Sequence, residues 1–497
     1  MRGWLVLAVL AASATARADE PVRDEDAIFG ESPAEPPPST PLDRDEDSIF
    51  GEEPGDAPEV APAPDSAPES PPRPPSRDDD VLGQSDITGL EIIEDTLAIG
   101  GFVYLRTTYS ILEGNDIEDN TLSMPNLVDI YFDARPGDRV RAYVRGRLKY
   151  DPTVDPDATG AFGQAPGDNP DVLLDQLWLK FDIARAVFMT LGKQPIRWGT
   201  ARLWTPVDVV NAARRDPLAF YDERTGVTLA KVHVPVESLG WNFYVVGMLD
   251  EANGLDKLGV AGRAEFVIES AELSLSAVYQ KGRKPRVGFD FSAGIGDVDL
   301  YGEVGVSFGI DGKAWEGDFN LATFTLPTEQ DVGDDVAVQV AWGLNYGVNY
   351  SDEDVLYVGA EAFWNQRGYD GKDLYPWLLY QSALGEGGFQ PFYLGEWYAA
   401  LYLLFPSPGA WDDGSVTFST LGNLSDLSFL SRLDVTARVL TWLDIQTYVA
   451  GHYGTKGGEL RFGVDIPAVE IPGVLSFPGV KLNPQLIDLG INLRVSI

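Results

Sequence analysis

Ile487-Asp-Leu-Gly-Ile-Asn-Leu-Arg-Val-Ser-Ile497 alternates without a break: Ile487, Leu489, Ile491, Leu493, Val495 and Ile497 are apolar, and Asp488, Gly490, Asn492, Arg494 and Ser496 are small, polar or charged. A strand points successive side chains to opposite faces, so this segment has one greasy face and one wet face. Stretches of about ten residues with this texture recur from residue 97 onward, which is the pattern of membrane β-strands.

Reading outward from that segment, strands are expected near 97–109, 126–135, 139–150, 172–183, 186–194, 224–234, 241–249, 258–269, 272–281, 286–295, 297–308, 336–349, 354–364, 391–404, 413–422, 428–439, 442–453 and 486–497. The expected fold is all-β, a transmembrane antiparallel β-barrel of about 18 strands over residues 86–497, or 16 if the weak segments 286–295 and 413–422 drop out. A soluble β-sandwich alternates too, so the connections arbitrate. Pro136-Gly-Asp138, Ala184-Arg185, Ser270-Ala271 and Gly296 are tight, whereas 151–171, 195–223, 309–335, 365–390 and 454–485 are long. Short turns on the periplasmic side and long loops outside are what an outer-membrane barrel has.

The first residues read as a secretory signal peptide over 1–18: Arg2, an apolar stretch from Trp4 to Ala12, and small residues at Ala16-Arg17-Ala18. That stretch is too short for a spanning helix, which needs roughly 20 residues. The chain contains no cysteine, which rules out disulfides and thiolate metal sites. Its formal charge of −40 argues against a nucleic-acid partner, because phosphates are bound by clustered Lys and Arg. Residues 19–80 alone carry 20 Asp or Glu against 4 Arg, and 19–85 hold 15 of the 35 prolines. Such a segment buries too little apolar surface to offset the entropy of ordering, so 19–85 is expected to be a disordered, acidic periplasmic tail.

Within that tail Arg23-Asp-Glu-Asp-Ala-Ile-Phe-Gly-Glu31 recurs as Arg44-Asp-Glu-Asp-Ser-Ile-Phe-Gly-Glu52. Ile28-Phe29 and Ile49-Phe50 are apolar pairs among acids. Two readings stay open: a docking motif for a periplasmic protein, and duplicated low-complexity sequence.

In the segment Arg139–Tyr150 the odd positions are Arg139, Arg141, Tyr143, Arg145, Arg147 and Lys149. Five cations on one face cannot meet lipid, where each costs about 2 to 4 kcal/mol at the midplane. They are expected to line the lumen, either as an electrostatic track for anions or as a wall neutralised by Asp129 and Asp133 of the preceding strand, with the track favoured. The loop from Gly192 to Pro217 is too apolar for a freely solvated loop. It is expected to fold into the barrel and constrict it, with Arg197, Trp198, Arg202, Trp204, Asp208, Arg214 and Arg215 at the constriction.

This loop also carries a resemblance. Gly192-Lys-Gln194, Trp198-Gly199, Trp204-x-Pro206-x-Asp208, Asn211, Asp216-Pro217 and Arg224-x-Gly226-Val227 resemble the proteobacterial porin-like and alginate-export-like outer-membrane barrels over about 40 residues. Asn211-Ala212, where that family has Asn-Pro, departs from the pattern. The resemblance implies a many-stranded barrel with a large lumen, passing solutes or polysaccharide.

Enzyme signatures are weak. Gly305-Val-Ser-Phe-Gly309 matches G-x-S-x-G but lies within an alternating strand, and only His233 and His452 could serve Ser307. No catalytic residue, metal site or cofactor is expected. The leading expectation is an outer-membrane channel for small polar solutes, with anions as a narrower reading. Alternatives are a translocation barrel for an exported polysaccharide, with the tail docking a periplasmic partner, and a structural or adhesion barrel anchoring surface loops. The expected partners are outer-membrane lipid, the barrel-assembly machinery and the solute or polysaccharide itself.

Overall fold

The computed structural model describes residues 96–157, 167–211, 213–250, 252–320, 323, 325–351, 354–471, 475–477 and 479–497. The signal-peptide reading and the tail motif at Ile28, Phe29, Ile49 and Phe50 lie outside these residues.

Eighteen long strands, β1 to β18 in chain order, pair with their neighbours in antiparallel fashion. They are Leu97–Leu112, Asn126–Gly137, Val140–Tyr150, Asp171–Ile183, Val187–Gln194, Val227–Val236, Trp241–Met248, Gly259–Ile268, Ala271–Gln280, Arg286–Ile295, Val298–Phe308, Val336–Asn349, Val355–Asn365, Trp397–Pro406, Gly414–Asn423, Ser428–Leu440, Leu443–Gly454 and Gln485–Ser496. The last strand closes on the first, Leu105 opposite Leu493 and Thr107 opposite Ile491. A closed cylinder leaves no edge, so the backbone amides satisfy one another without water. One helix, α1 (Tyr375–Ala383), sits in the connection between β13 and β14.

Alternation sorts the side chains as the sequence requires. Ile99, Phe132, Val245, Leu275 and Ile491 stand exposed on the outside, whereas Asp129, Arg147, Glu303 and Asn492 are buried on the inside. Trp364 and Trp397 meet outside one rim, and Trp411, Trp442 and Tyr350 are exposed beside the turns of the other. Every connection at the end that holds both termini of the barrel is short. The long loops are at the opposite end, although 281–285 and 424–427 there are short as well.

Two strands start later than expected. β6 begins at Val227, not 224, because Arg224 is turned inward to Asp208 and Asp222. β14 begins at Trp397, not 391, because the amides of Tyr393 and Leu394 donate to the Glu459 carboxylate instead of to a strand partner.

The lumen is not wet all round. Leu229, Tyr244, Val246, Met248, Ala261 and Val278 face inward from β6 to β9 and are buried. On the opposite wall Tyr301, Ala341, Phe363, Tyr398, Ala400 and Leu421 do the same. Both apolar surfaces are covered by a single loop, residues 195–226.

Candidate functional site: a loop seated in the lumen

After β5 the chain turns into the barrel. Ile196, Trp198, Val207 and Val210 pack on the first apolar wall, and Ala201, Leu203 and Trp204 on the second. Trp198 and Trp204 are both essentially inaccessible. The Trp204 ring stacks on Phe363 with centroids 5.7 Å apart, and its Nε1–H donates to the Phe392 carbonyl at 3.0 Å. Burial of these side chains favours the seated loop, but a loop brings backbone amides into the interior that must find acceptors.

Two wall carboxylates supply them. Glu361 of β13 accepts the N–H groups of Arg202 (2.9 Å), Trp204 (2.8 Å) and Leu203 (3.1 Å), and the Tyr301 hydroxyl donates to it at 3.0 Å. Glu303 of β11 accepts the N–H groups of Ala201 at 2.5 Å and Val207 at 3.0 Å. Carboxyl oxygens that meet several convergent amides satisfy the donors the loop carries into the interior. Gly199 is required beside them: its φ is +108°, and a Cβ would lie 2.4 Å from Glu303 Oε1. On the wall, Gly305 makes room for the loop, since a Cβ there would lie 2.5 Å from the Pro206 carbonyl oxygen.

Asp208 ties the ends of the loop together. It accepts from the Trp198 N–H at 3.4 Å and from Asn211 Nδ2 at 2.8 Å, and pairs with Arg224 at 2.7 Å. Asn211 also donates to the Ile196 carbonyl.

The basic row of β3 faces inward, and each of its five cations has a carboxylate. Arg139 pairs with Asp182 (2.7 Å), Arg141 with Asp133 (2.9 Å), Arg145 with Asp175 (2.5 Å), Arg147 with Asp129 (2.8 Å) and Lys149 with Glu223 (3.0 Å). Arg147 also reaches Asp175 at 3.2 Å and donates to the Tyr221 hydroxyl at 2.9 Å. Tyr221 in turn donates to Asp129 at 3.0 Å. The row is thus joined to both neighbouring strands and to the C-terminal part of the loop. Asp175, Asp182 and Glu223 are not anticipated from sequence: Asp182 shares the inward parity of Gln176 and Trp178, Asp175 is turned inward by a bulge in β4 opposite Arg145 and Gly146, and Glu223 stands just before Arg224.

The loop arginines are placed differently. Neither Arg197 nor Arg214 has a carboxylate partner among the described residues. Arg214 donates to the Gln339 side-chain oxygen at 3.1 Å and stands over the Tyr393 ring, 5.1 Å from its centroid. Arg215 donates to the Arg202 carbonyl at 3.4 Å, and Arg202 lies over the Tyr301 ring at 5.6 Å. Burial and, after it, the nearby Arg197 charge bring the Arg215 guanidinium down to about 10. It is still a cation at neutral pH, and it already senses its like-charged neighbour.

The mouth is connected to this loop. Glu459, in the β17–β18 connection, is buried and accepts from the Tyr398 hydroxyl at 2.5 Å, Asn423 Nδ2 at 2.7 Å and the Tyr393 N–H at 3.1 Å. Tyr393 then donates through its hydroxyl to the Arg215 carbonyl at 3.3 Å. Burial raises Glu459 to about 7.

Ser307 lies inside β11 and donates to the Gly309 carbonyl at 2.5 Å. His233 bonds Asn242 and His452 bonds Asp488, so no Ser–His pair forms among the described residues. Among them there is also no cluster of three or more potential metal ligands.

No family model and no curated protein matches the sequence. Among solved structures the chain is similar to OccAB1 of Acinetobacter baumannii, at 11% identity over 80% of this chain and 96% of that one, with a TM-score of 0.47. Wzi of Escherichia coli, described as an outer-membrane carbohydrate-binding β-barrel involved in group 1 capsule assembly, is similar at 12% identity over 80% and 84%, TM-score 0.44. A mutant porin of Rhodopseudomonas blastica is similar at 11% identity over 81% and 100%, TM-score 0.38. These are likenesses of barrel architecture.

Proposed function

We propose that this protein is an outer-membrane channel for small polar solutes, with residues 195–226 as its constriction and the loop arginines as the element that favours anions. The closed barrel, its apolar exterior and the exposed Trp and Tyr residues at both rims support a membrane-spanning location. With both ends of the barrel at the short-turn end, the acidic tail is then periplasmic and the long loops extracellular.

The observation that carries the reading is the contrast between two sets of cations. Those of β3 are used up in ion pairs, whereas Arg197 and Arg214 project from the seated loop without a carboxylate. A cation in a narrow, partly dehydrated passage attracts anions and repels cations, and neutralised pairs do neither. The basic row therefore serves as a wall and the selecting charges lie on the loop. A constriction held at two wall carboxylates also favours small solutes over a polymer chain, which would have to displace it. Planar-bilayer reversal potentials under a salt gradient test this: Arg197→Glu combined with Arg214→Glu should abolish or invert anion preference, and an unchanged preference would refute it.

A further inference from the structure

Beneath the seated loop lies a compartment that opens to the lumen. Its roof is Leu218 to Phe220 of the loop, and its wall is formed by β14, β15 and β16.

The wall is a ladder set by strand register: Ser415 opposite Thr436, Thr417 opposite Asp434 and Ser419 opposite Arg432. The hydroxyls of Ser415, Thr417, Ser419 and Thr436 all face inward, and none has a side-chain hydrogen-bond partner among the described residues. The hydroxyls of Thr420 and Ser431, on the outer face of these same two strands, bond each other instead. Arg432 donates Nε to Asp434 at 2.7 Å and Nη1 to the Leu218 carbonyl at 3.0 Å, which leaves further N–H groups and the second carboxylate oxygen of Asp434 for a ligand. The pair is neutral as a unit. The Phe220 and Tyr402 rings and Leu218 add apolar surface.

We propose that this compartment binds one residue of a neutral polyhydroxylated ligand, a hexose-sized sugar. Each sugar hydroxyl both donates and accepts, as do the four wall hydroxyls. Arg432 and Asp434 offer a donor and an acceptor side by side, and the C–H face of a pyranose suits the apolar roof. A carboxylated sugar would meet Asp434 and lose its own charge complement, so the class is neutral. The site is independent of ion preference, because the ladder and the arginines at 197 and 214 share no residue.

Isothermal titration of the full chain in a zwitterionic, sugar-free detergent tests the proposal, with glucose, galactose, mannose and glucuronate as probes. At least one neutral hexose should bind saturably with a Kd of about a millimolar, and Thr417→Val with Ser419→Ala should weaken it about 10-fold. Arg197→Glu with Arg214→Glu should leave that affinity unchanged. Heat-modifiable gel migration confirms that each variant is folded. No saturable hexose binding, glucuronate binding as tightly as the hexoses, or affinity unmoved by the ladder variant in a folded barrel would each overturn it.

Discussion

Glu361 holds Trp204 by its backbone, the Trp204 N–H donating to the wall carboxylate at 2.8 Å, while the indole ring stacks on Phe363 of the same strand. Glu361 and Phe363 are both inward positions of β13. One strand face thus supplies the acceptor for the loop's amides and the apolar surface for its largest side chain. The combination explains how a loop with two tryptophans lies inside a barrel without stranding its backbone.

Glu361→Ala should release this clamp. Three amides and the Tyr301 hydroxyl lose their acceptor at once; buried donors left unsatisfied cost about 1–3 kcal/mol each, so a loss of about 3 kcal/mol or more is expected. Urea unfolding from lipid vesicles measures the loss. Single-channel conductance should rise in the same variant, because the loop no longer fills the lumen. Unchanged stability and conductance would show that apolar packing alone seats the loop.

Arg147 and Asp129 form a fully buried pair. Arg147→Ala leaves Asp129 and Asp175 with less compensation and should destabilise by about 3–5 kcal/mol, the range for breaking a buried pair. Arg147→Ala with Asp129→Ala should cost clearly less than the sum of the two single changes, as a double-mutant cycle would show. Additive losses would mean that the pair is not coupled.

The mouth should loosen with rising pH. Glu459 sits at about 7 in the folded protein against an ordinary 4.5, so the folded state holds this proton more tightly than the unfolded chain does. The associated stability is present in full below about 4.5 and is lost as pH rises through about 7. Hydrogen exchange at the Tyr393 and Leu394 amides, corrected for intrinsic rates, should therefore be less protected at pH 8 than at pH 5. Glu459→Gln should remove the difference, and equal protection at both pH values in the parent protein would contradict it.

Much of the scaffold is legible in the chain because a barrel repeats a two-residue rule. Ile487 to Ile497 states it openly, and the same parity places Arg139 to Lys149 inside and Val140 to Tyr150 outside. The apolar loop around Trp198 and Trp204 was also readable, since such side chains need cover. Its anchors were not. Glu303 and Glu361 lie 102 and 157 residues from the amides of Ala201 and Trp204 that they hold, and an inward acid on a strand looks like any other lumen acid. The ion pairing of the basic row was half visible, through Asp129 and Asp133. Asp175 and Asp182 belong to the strand on the other side, and Glu223 reaches Lys149 only because the loop returns across the lumen.

Residues 195–226 lie inside the cylinder against its wall. A Cβ on Gly288 would be 2.7 Å from a Val207 methyl, the place a cysteine sulfur would take, so a cysteine pair at these positions is within reach of a disulfide. The chain has no cysteine of its own, so Val207→Cys with Gly288→Cys can be read without background. Mild oxidation of the folded barrel should give a reducible crosslink between loop and wall and leave the thiol at 207 unreactive to a membrane-impermeant maleimide. A folded barrel that forms no crosslink and labels readily at 207 would place the loop outside and contradict the account.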